Sequence, residues 1–332
     1  MEHQIASMGS SFDYHFLSMA FTRGLWIIPL ILLTGLVAFR LFVFNPAVRK
    51  LKGEGDVHGI QFKIAAFSRR WITLFLVFFA LMSLAALYHE TYMITGKKVG
   101  EILPFVFMVI EKTHWGRIWV DRFLLLTAFG ILWGTCIKRD QPPFQWLLFL
   151  LILISGTFSL IGHPADKGDL TFRVLVDFIH LTAISLWIGG LFPLFNFFRL
   201  AIPWDRPEIK PLLTEVLERF STLAVASVLV MAVTGALEVW NSWGKIPSLA
   251  LALDSNYGNI LIAKFIFVIS VLAMGGLARF YILPRARKSP VHGNSLLIHQ
   301  LYLFLAFEVC FAALVLVLAV LLTQSSPPFI MK

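Results

Sequence analysis

Eight apolar segments, each long enough to cross a lipid bilayer, constrain the fold of this chain more than any other feature. A membrane-spanning helix needs about 20 predominantly apolar residues. The connections between the segments reach at most about 26 residues, so none of them holds a sizeable soluble domain. We therefore predict an all-α, polytopic membrane protein with about eight transmembrane helices. The predicted spans are 21–44, 71–94, 118–138, 144–162, 173–200, 219–243, 258–282 and 300–323.

Composition and charge support a membrane protein and argue against a nucleic-acid partner. The 332 residues are 58% hydrophobic and 14% charged, with a formal net charge of +9. The Lys and Arg residues are sorted between the two sets of connecting segments, with 15 in one set and 8 in the other. Because basic residues accumulate in cytoplasmic loops, we expect the richer set to be cytoplasmic and both termini to be periplasmic. Membrane lipid is the expected surroundings.

The two halves of the chain share several motifs. Phe67-Ser68 and Phe220-Ser221 open the second and sixth spans, and Trp115-Gly116 and Tyr257-Gly258 precede the third and seventh. Six residues beyond each of these glycines lies a basic residue followed by phenylalanine, at Arg122 and Lys264. Repeats with an even number of helices point the same way across the membrane. We therefore predict two parallel four-helix halves, residues 1–154 and 155–332.

The fifth span contains the most informative polar residues. Asp177, His180 and Trp187 recur at helical spacing and share one face. An acid and an imidazole are costly in a lipid-spanning helix, so we expect them to face the protein interior and to have partners. Asp177 is expected to orient the His180 ring through one nitrogen and leave the other for a ligand, as in carboxylate–histidine–metal pairs. Trp187 is expected to line the same cavity. The alternative is a buried hydrogen bond that only fastens helices together.

Histidines accumulate toward one predicted face of the membrane. Imidazole binds copper, zinc, nickel and iron, so a set of histidines leading to the fifth span predicts the capture of a metal ion. We take His89, His114, His163 and His180 as the candidate ligands. The complete set of six on this side, out of nine in the chain, is His3, His15, His89, His114, His163 and His180.

Further ionisable residues lie inside predicted spans. Lys264 and Arg122 either extend to the lipid headgroups or contribute to the interior, since long basic side chains can reach the interface. Glu308 cannot readily do so and is a candidate partner for a buried cation, whereas Glu238, near the outer end of the sixth span, is expected at the interface. Cys136 and Cys310 form no CxxC pair, and we expect them to behave as small apolar residues.

The second half resembles the copper resistance protein D family of bacterial inner-membrane proteins. The resemblance covers roughly residues 155–328, and the first half resembles the family only in its layout. The matching pieces are GH at 162–163, DFIHLTAISLWIGGL at 177–191, RFSTLAVASVLVMAVTG at 219–235, NYGNILIAKF at 256–265, ARFYILP at 278–284 and FEVCFAALVLVLAVLLTQSSPP at 307–328.

This resemblance implies copper movement across the inner membrane, commonly beside a periplasmic copper-binding partner. Our prediction is a copper-uptake protein, not an enzyme, that takes copper from the periplasm to the cytoplasm. Two other interpretations remain open. One is a haem b protein with His180 and another outer histidine as axial ligands. The other is a scaffold whose polar groups only hold helices together.

Overall fold

The computed structural model contains helices and turns, and the residues that it describes form no β-strand. These residues are 14–51, 58–97, 99–137, 142–166, 168–201, 209–243, 253, 255–282, 284–285 and 295–324. We number the main helices in chain order as α1 (Tyr14–Ala38), α2 (His58–Thr95), α3 (Leu103–Lys112), α4 (His114–Cys136), α5 (Phe144–Ser159), α6 (Phe172–Ala201), α7 (Lys210–Trp243), α8 (Asn256–Leu277) and α9 (Ser295–Gln324).

The prediction of an all-α polytopic membrane protein is confirmed. Seven helices of the described chain are long and apolar enough to cross a membrane. The eighth predicted span, 144–162, is the shorter helix α5, with 16 residues, or about 24 Å of rise. It still runs between the two ends of the bundle, because Phe144 packs under the Arg40 guanidinium at one end and Phe158 packs under Arg122 toward the other. The apolar stretch after α2 forms the helix α3, whose 10 residues are too few to cross a membrane.

The bundle has two distinct ends. We call the end where α4 begins at His114 and α6 begins at Phe172 the histidine end, and the opposite end, with Arg49 and Lys50, the basic end. Alternation of the helices places Tyr14 and Gln324 at the histidine end. A Cβ on Gly24 of α1 would lie 3.4 Å from Val320 of α9, which agrees with this placement.

Helices α1 and α6 cross at the centre of the bundle in direct backbone contact. A Cβ atom built on Gly35 would lie 2.0 Å from the carbonyl carbon of Gly189, and one on Gly189 would lie 2.1 Å from the Ile31 oxygen. No side chain fits at this crossing, so the glycines are required by close approach. Helices α2 and α5 pack on α1, and helices α7 and α9 pack on α6. Two of these outer helices contact both central helices, since α5 also packs on α6 and α9 also packs on α1.

This packing has the pattern that two parallel halves would give, with α1–α2–α4–α5 matching α6–α7–α8–α9. The starts of α4 and α8 agree in detail: the Thr113 side chain accepts a hydrogen bond from the Gly116 N–H, and the Ser255 side chain accepts one from the Gly258 N–H. The repeat and its boundary at residue 154 remain a prediction that this geometry supports.

Short π-helical turns extend α1 and α8 at the basic end. The first turn spans Phe39–Phe44 and leads into a helix at Asn45–Lys50. The second turn spans Ala278–Ile282. Arg40 in the first turn donates a 3.2 Å hydrogen bond to the Ser68 hydroxyl. Arg279 in the second donates one of 2.5 Å to Ser221. The serines of the two repeated Phe-Ser motifs therefore bind arginines that tie α1 to α2 and α7 to α8.

Candidate metal site between α6 and α7

His180 lies buried between α6 and α7, two turns inside the histidine end. Its Nδ1 atom is 2.8 Å from the hydroxyl oxygen of Thr234 on α7. The Thr234 hydroxyl donates its own hydrogen to the Val230 carbonyl oxygen at 2.8 Å. A hydroxyl has one hydrogen to donate, so toward the ring it acts as an acceptor. This arrangement assigns the ring proton to Nδ1 and leaves a lone pair on Nε2.

The Nε2 atom of His180 faces a carboxylate on the neighbouring helix. Glu238, one turn after Thr234, places its Oε2 atom 3.9 Å from Nε2, which is too far for a hydrogen bond. His180 Nε2 and Glu238 Oε1 are both buried, and neither has a hydrogen-bond partner in the described part of the chain. Buried polar atoms normally have partners, so two orphaned groups on facing helices indicate a place for a ligand.

The gap between these atoms suits one metal ion. Zinc-type bonds to imidazole nitrogen and carboxylate oxygen are about 2.0–2.2 Å long. An ion bound to both His180 Nε2 and Glu238 Oε2 would therefore bridge the 3.9 Å between these atoms with a wide N–metal–O angle. Within the described residues no group of three or more His, Cys, Asp or Glu side chains is placed to hold a metal. The pair therefore offers two candidate ligands for an ion.

The space around the ring is set by Gly235. A Cβ atom there would lie 3.4 Å from Cε1 of His180 and 3.9 Å from Nδ1, so the backbone of α7 passes directly beside the imidazole. The backbone of α7 thus limits the space on the Cε1–Nδ1 side of the ring.

Charged residues of two helices surround the pair. Asp177, one turn before His180, and Lys264 of α8 interact electrostatically with each other and with Glu238. Lys264 also interacts with His180, so its side chain contributes to the interior of the protein. The expected hydrogen bond between Asp177 and the His180 ring is not formed, because Nδ1 is held by Thr234 and Nε2 faces Glu238. Asp177 acts on the site through its charge.

Two family models match separate segments of the chain. Residues 13–172 match the family model described as copper resistance protein D-like, N-terminal domain, and residues 214–322 match the model described as copper resistance protein D. The chain belongs to the copper resistance protein D family. The match of the first half goes beyond the similarity in layout that the sequence motifs indicated. Helix α6, with His180, lies between the two matched segments, so the site described above rests on its own geometry.

Two curated relatives of this family member are named for related roles or location. The copper transport protein CutJ of Bacillus subtilis (strain 168) is 29% identical over 172 residues, which are 50% of this chain and 30% of that protein. The inner membrane protein YebZ of Escherichia coli (strain K12) is 25% identical over 193 residues, which are 56% of this chain and 61% of that protein. The chain thus matches less than two thirds of either relative's length. No solved structure matches it significantly.

The other candidate ligands of this copper resistance protein D family member lie toward the histidine end. His114 is about half exposed, and its Nε2 atom lies 3.2 Å from Oδ1 of Asp169 and 3.2 Å from the Leu160 carbonyl oxygen. His89 is half-buried near the end of α2, and His163 begins a 3-10 turn at His163–Ala165. The side chain of His163 lies outside the described part of the structure, as do His3 and the side chain of His15.

The remaining predicted residues have different surroundings. Trp187 is buried within the main apolar cluster. Glu308 is buried in α9, and a Cβ on Gly275 of α8 would lie 3.4 Å from its Oε1 atom. Arg122 does not extend to the lipid surface: it is fully buried over the rings of Trp26 and Phe158.

Sequence reasoning missed Thr234, Gly235 and Glu238. It assigned Glu238 to the membrane interface because that residue lies near the end of its span. A usable signal existed, since Thr234 and Glu238 are four residues apart and share one face of α7. What the sequence could not supply was the pairing of this face with His180.

Proposed function

We propose that the protein carries copper across the bacterial inner membrane from the periplasm to the cytoplasm, as a transporter and not as an enzyme. In this proposal His180 and Glu238 are the first ligands that the ion meets inside the membrane. The support comes from one observation above all: Nε2 of His180 and Oε1 of Glu238 are buried without hydrogen-bond partners in the described part of the chain, and Oε2 of Glu238 lies 3.9 Å from Nε2. Membership of a copper resistance family supports copper as the ion.

The donor atoms favour the divalent state of copper. Thiolate and thioether sulfur select Cu(I), whereas imidazole nitrogen and carboxylate oxygen suit Cu(II) among other divalent ions. The site offers His180 nitrogen and Glu238 oxygen. Two carboxylates, those of Asp177 and Glu238, lie near the site and attract a cation, whereas the ammonium of Lys264 opposes it.

The histidine end is the periplasmic side in this proposal. The loops at the basic end hold the larger share of Lys and Arg, as cytoplasmic loops do. A cation entering from the histidine end then moves down the membrane potential, which supplies about 2.3 kcal/mol per charge per 100 mV. The exposed pair of His114 and Asp169 lies at this end, where a periplasmic copper-binding protein could deliver its ion.

Copper binding by purified protein tests the site. We expect wild-type protein in lipid nanodiscs to bind Cu(II) with a paramagnetic resonance spectrum that shows nitrogen coordination. His180→Ala and Glu238→Gln should each weaken binding at least about tenfold. His299→Gln, which changes an exposed histidine at the basic end, is the matched control and should leave binding unchanged. Equal affinity in all four proteins would exclude the site, and a Soret absorption band in the purified protein would favour haem instead.

Transport and its direction need a separate measurement. Proteoliposomes containing protein of known orientation should accumulate copper when the histidine end faces the copper-containing side and the potential is negative on the other side. His180→Ala should abolish this accumulation, and His299→Gln should not. Accumulation only when the basic end faces the copper would reverse the proposed direction. No copper movement in either orientation would exclude transport while leaving the binding result to stand.

A further inference from the structure

Glu308 is an isolated carboxyl group in the middle of a membrane-spanning helix. It lies 13 residues after the start of α9 and 16 before its end, and only 7% of its surface is exposed. In the described part of the chain no hydrogen bond or ion pair reaches this side chain. The copper site does not include it, because Gly275, against which Glu308 packs, follows Lys264 by 11 residues on α8, about 16 Å of helix rise toward the basic end.

The surroundings of this carboxyl are apolar on its own helix. Leu301, Leu305, Ala312 and Val315 are all buried and recur at spacings of three or four residues with Glu308, so they share one face of α9. Glu308 replaces one apolar residue in an otherwise continuous buried stripe. A residue selected only for packing would be apolar at this position, because a lone carboxyl adds nothing to the contact between helices.

The part of α8 that faces the Glu308 carboxyl is main chain and not side chain. Gly275 has no side chain, and a Cβ at this position would lie 3.4 Å from Oε1 of Glu308. The next residue, Gly276, has open space where a Cβ would be. This pair of glycines therefore leaves room for the carboxyl group and provides no cation to neutralise it.

Several charged groups on the helices packed against α9 have other partners. Arg279 of the second π-helical turn binds Ser221, Arg40 of the first binds Ser68, and Lys264 interacts with Glu238. The charged and titratable residues of the described parts of these helices are Tyr257 and Lys264 on α8, Arg279 and Tyr281 in the turn beyond it, Arg173, Asp177, His180 and Arg199 on α6, and Arg40 and Arg49 with Lys50 beyond α1. The side chains of Tyr14, His15 and Arg23 on α1 lie outside the described part of the structure. Among the described residues, none of these forms an ion pair with Glu308.

An ionised carboxylate without a partner is costly in the membrane interior, and that cost disappears when the group binds a cation. A metal ion would need further ligands, and the described residues hold no cluster of three. A proton needs only the carboxylate itself. We infer that Glu308 is a proton-binding site, where –COO⁻ and H⁺ combine to –COOH and separate again, and that the carboxyl releases this proton when a copper ion passes through the protein.

The second part of this inference rests on the proposed function, and the first part does not. The bond that forms and breaks is the O–H bond of the acid. The proton moves to water at one end of the bundle, and no oxidant or reductant takes part. The passage of copper thereby becomes dependent on pH, since a carboxyl that keeps its proton cannot balance the charge of the ion.

Infrared spectroscopy tests the proton site without any need for copper transport. Wild-type protein in nanodiscs should show a carboxylic acid C=O stretching band that disappears as the pH is raised. Glu308→Gln should lose this band, and Glu308→Asp should retain a band with a changed midpoint. Glu111→Gln is the control, because Glu111 is exposed and paired with Lys112, and it should retain the wild-type band. An unchanged band in Glu308→Gln would overturn the assignment of the proton.

Copper flux into proteoliposomes at a series of pH values tests the coupling. Wild-type flux should rise with pH, whereas Glu308→Gln should have low flux, a weaker pH dependence than the wild type and unchanged copper affinity at the His180 site. The same pH dependence in Glu308→Gln and wild-type protein would overturn the coupling. If wild-type protein moves no copper at all, the proposed function fails, and the infrared result still decides whether Glu308 binds a proton.

Discussion

The hydroxyl of Thr234 should control copper affinity without touching the ion. It accepts the hydrogen bond from Nδ1 of His180 at 2.8 Å and is itself anchored on the Val230 carbonyl. Thr234→Val keeps the shape of the side chain and removes this acceptor. The ring then either holds an unpaired buried N–H, at a cost of about 1–3 kcal/mol, or moves its proton to Nε2, where it blocks the lone pair that faces Glu238.

Both outcomes weaken the binding of Cu(II). Loss of a hydrogen-bond partner of a metal-binding histidine typically costs about 10–100-fold in affinity, or about 1.4–2.7 kcal/mol, which agrees with the cost of the unpaired N–H. The assay is a Cu(II) titration of the nanodisc-embedded protein, with thermal unfolding to verify that the variant is folded. Thr234→Ser preserves the hydroxyl and should bind as the wild type does. A folded Thr234→Val protein with wild-type affinity would refute the assigned tautomer.

Three other substitutions, one of them with a matched control, test the packing that holds the site. Gly189→Ala would place a methyl group 2.1 Å from the Ile31 oxygen, so we expect thermal unfolding to show a destabilisation of about 1–3 kcal/mol or more. Gly276→Ala is the control, because a Cβ there meets nothing within 4 Å, and it should be neutral or stabilising by up to about 1 kcal/mol. Gly235→Val should displace the imidazole and weaken Cu(II) binding about tenfold or more without a matching loss of thermal stability; equal affinity would show that the ring is not confined there. Arg122→Lys keeps the charge but loses two hydrogen bonds to α5 and two ring contacts, so we expect a loss of about 2–3 kcal/mol, and an unchanged melting temperature would contradict this role.

The sequence was sufficient to place the helices but less informative about their ends. The predicted span 173–200 and the helix Phe172–Ala201 agree closely, since this segment begins and ends at the membrane surface. The predicted span 71–94 begins 13 residues after the start of the helix His58–Thr95. Hydrophobicity marks where lipid begins, whereas a helix continues into water as long as its backbone bonds are formed.

The site was only half predictable for a related reason. His180 is recognisable from the sequence because a titratable residue within an apolar segment is costly. Its partners depend on which face of α7 meets α6, and hydrophobicity constrains this weakly when lipid covers the remaining faces. Asp177 was therefore expected to hold the ring because it is the acid nearest in sequence, whereas Thr234, 54 residues away, does so.

The crossing of α1 and α6 limits how this molecule can change shape. Where backbone touches backbone at Gly35 and Gly189, the two helices can pivot but cannot slide past each other without a collision of main-chain atoms. A path through the protein would then open by movement of the outer helices, with α7 or the α8–α9 pair tilting against the α1–α6 crossing, which stays in place. His180 is carried by the fixed element, and Glu238, Lys264 and Glu308 by the outer ones, so such a tilt would alter the distances between the carboxyl groups and the imidazole.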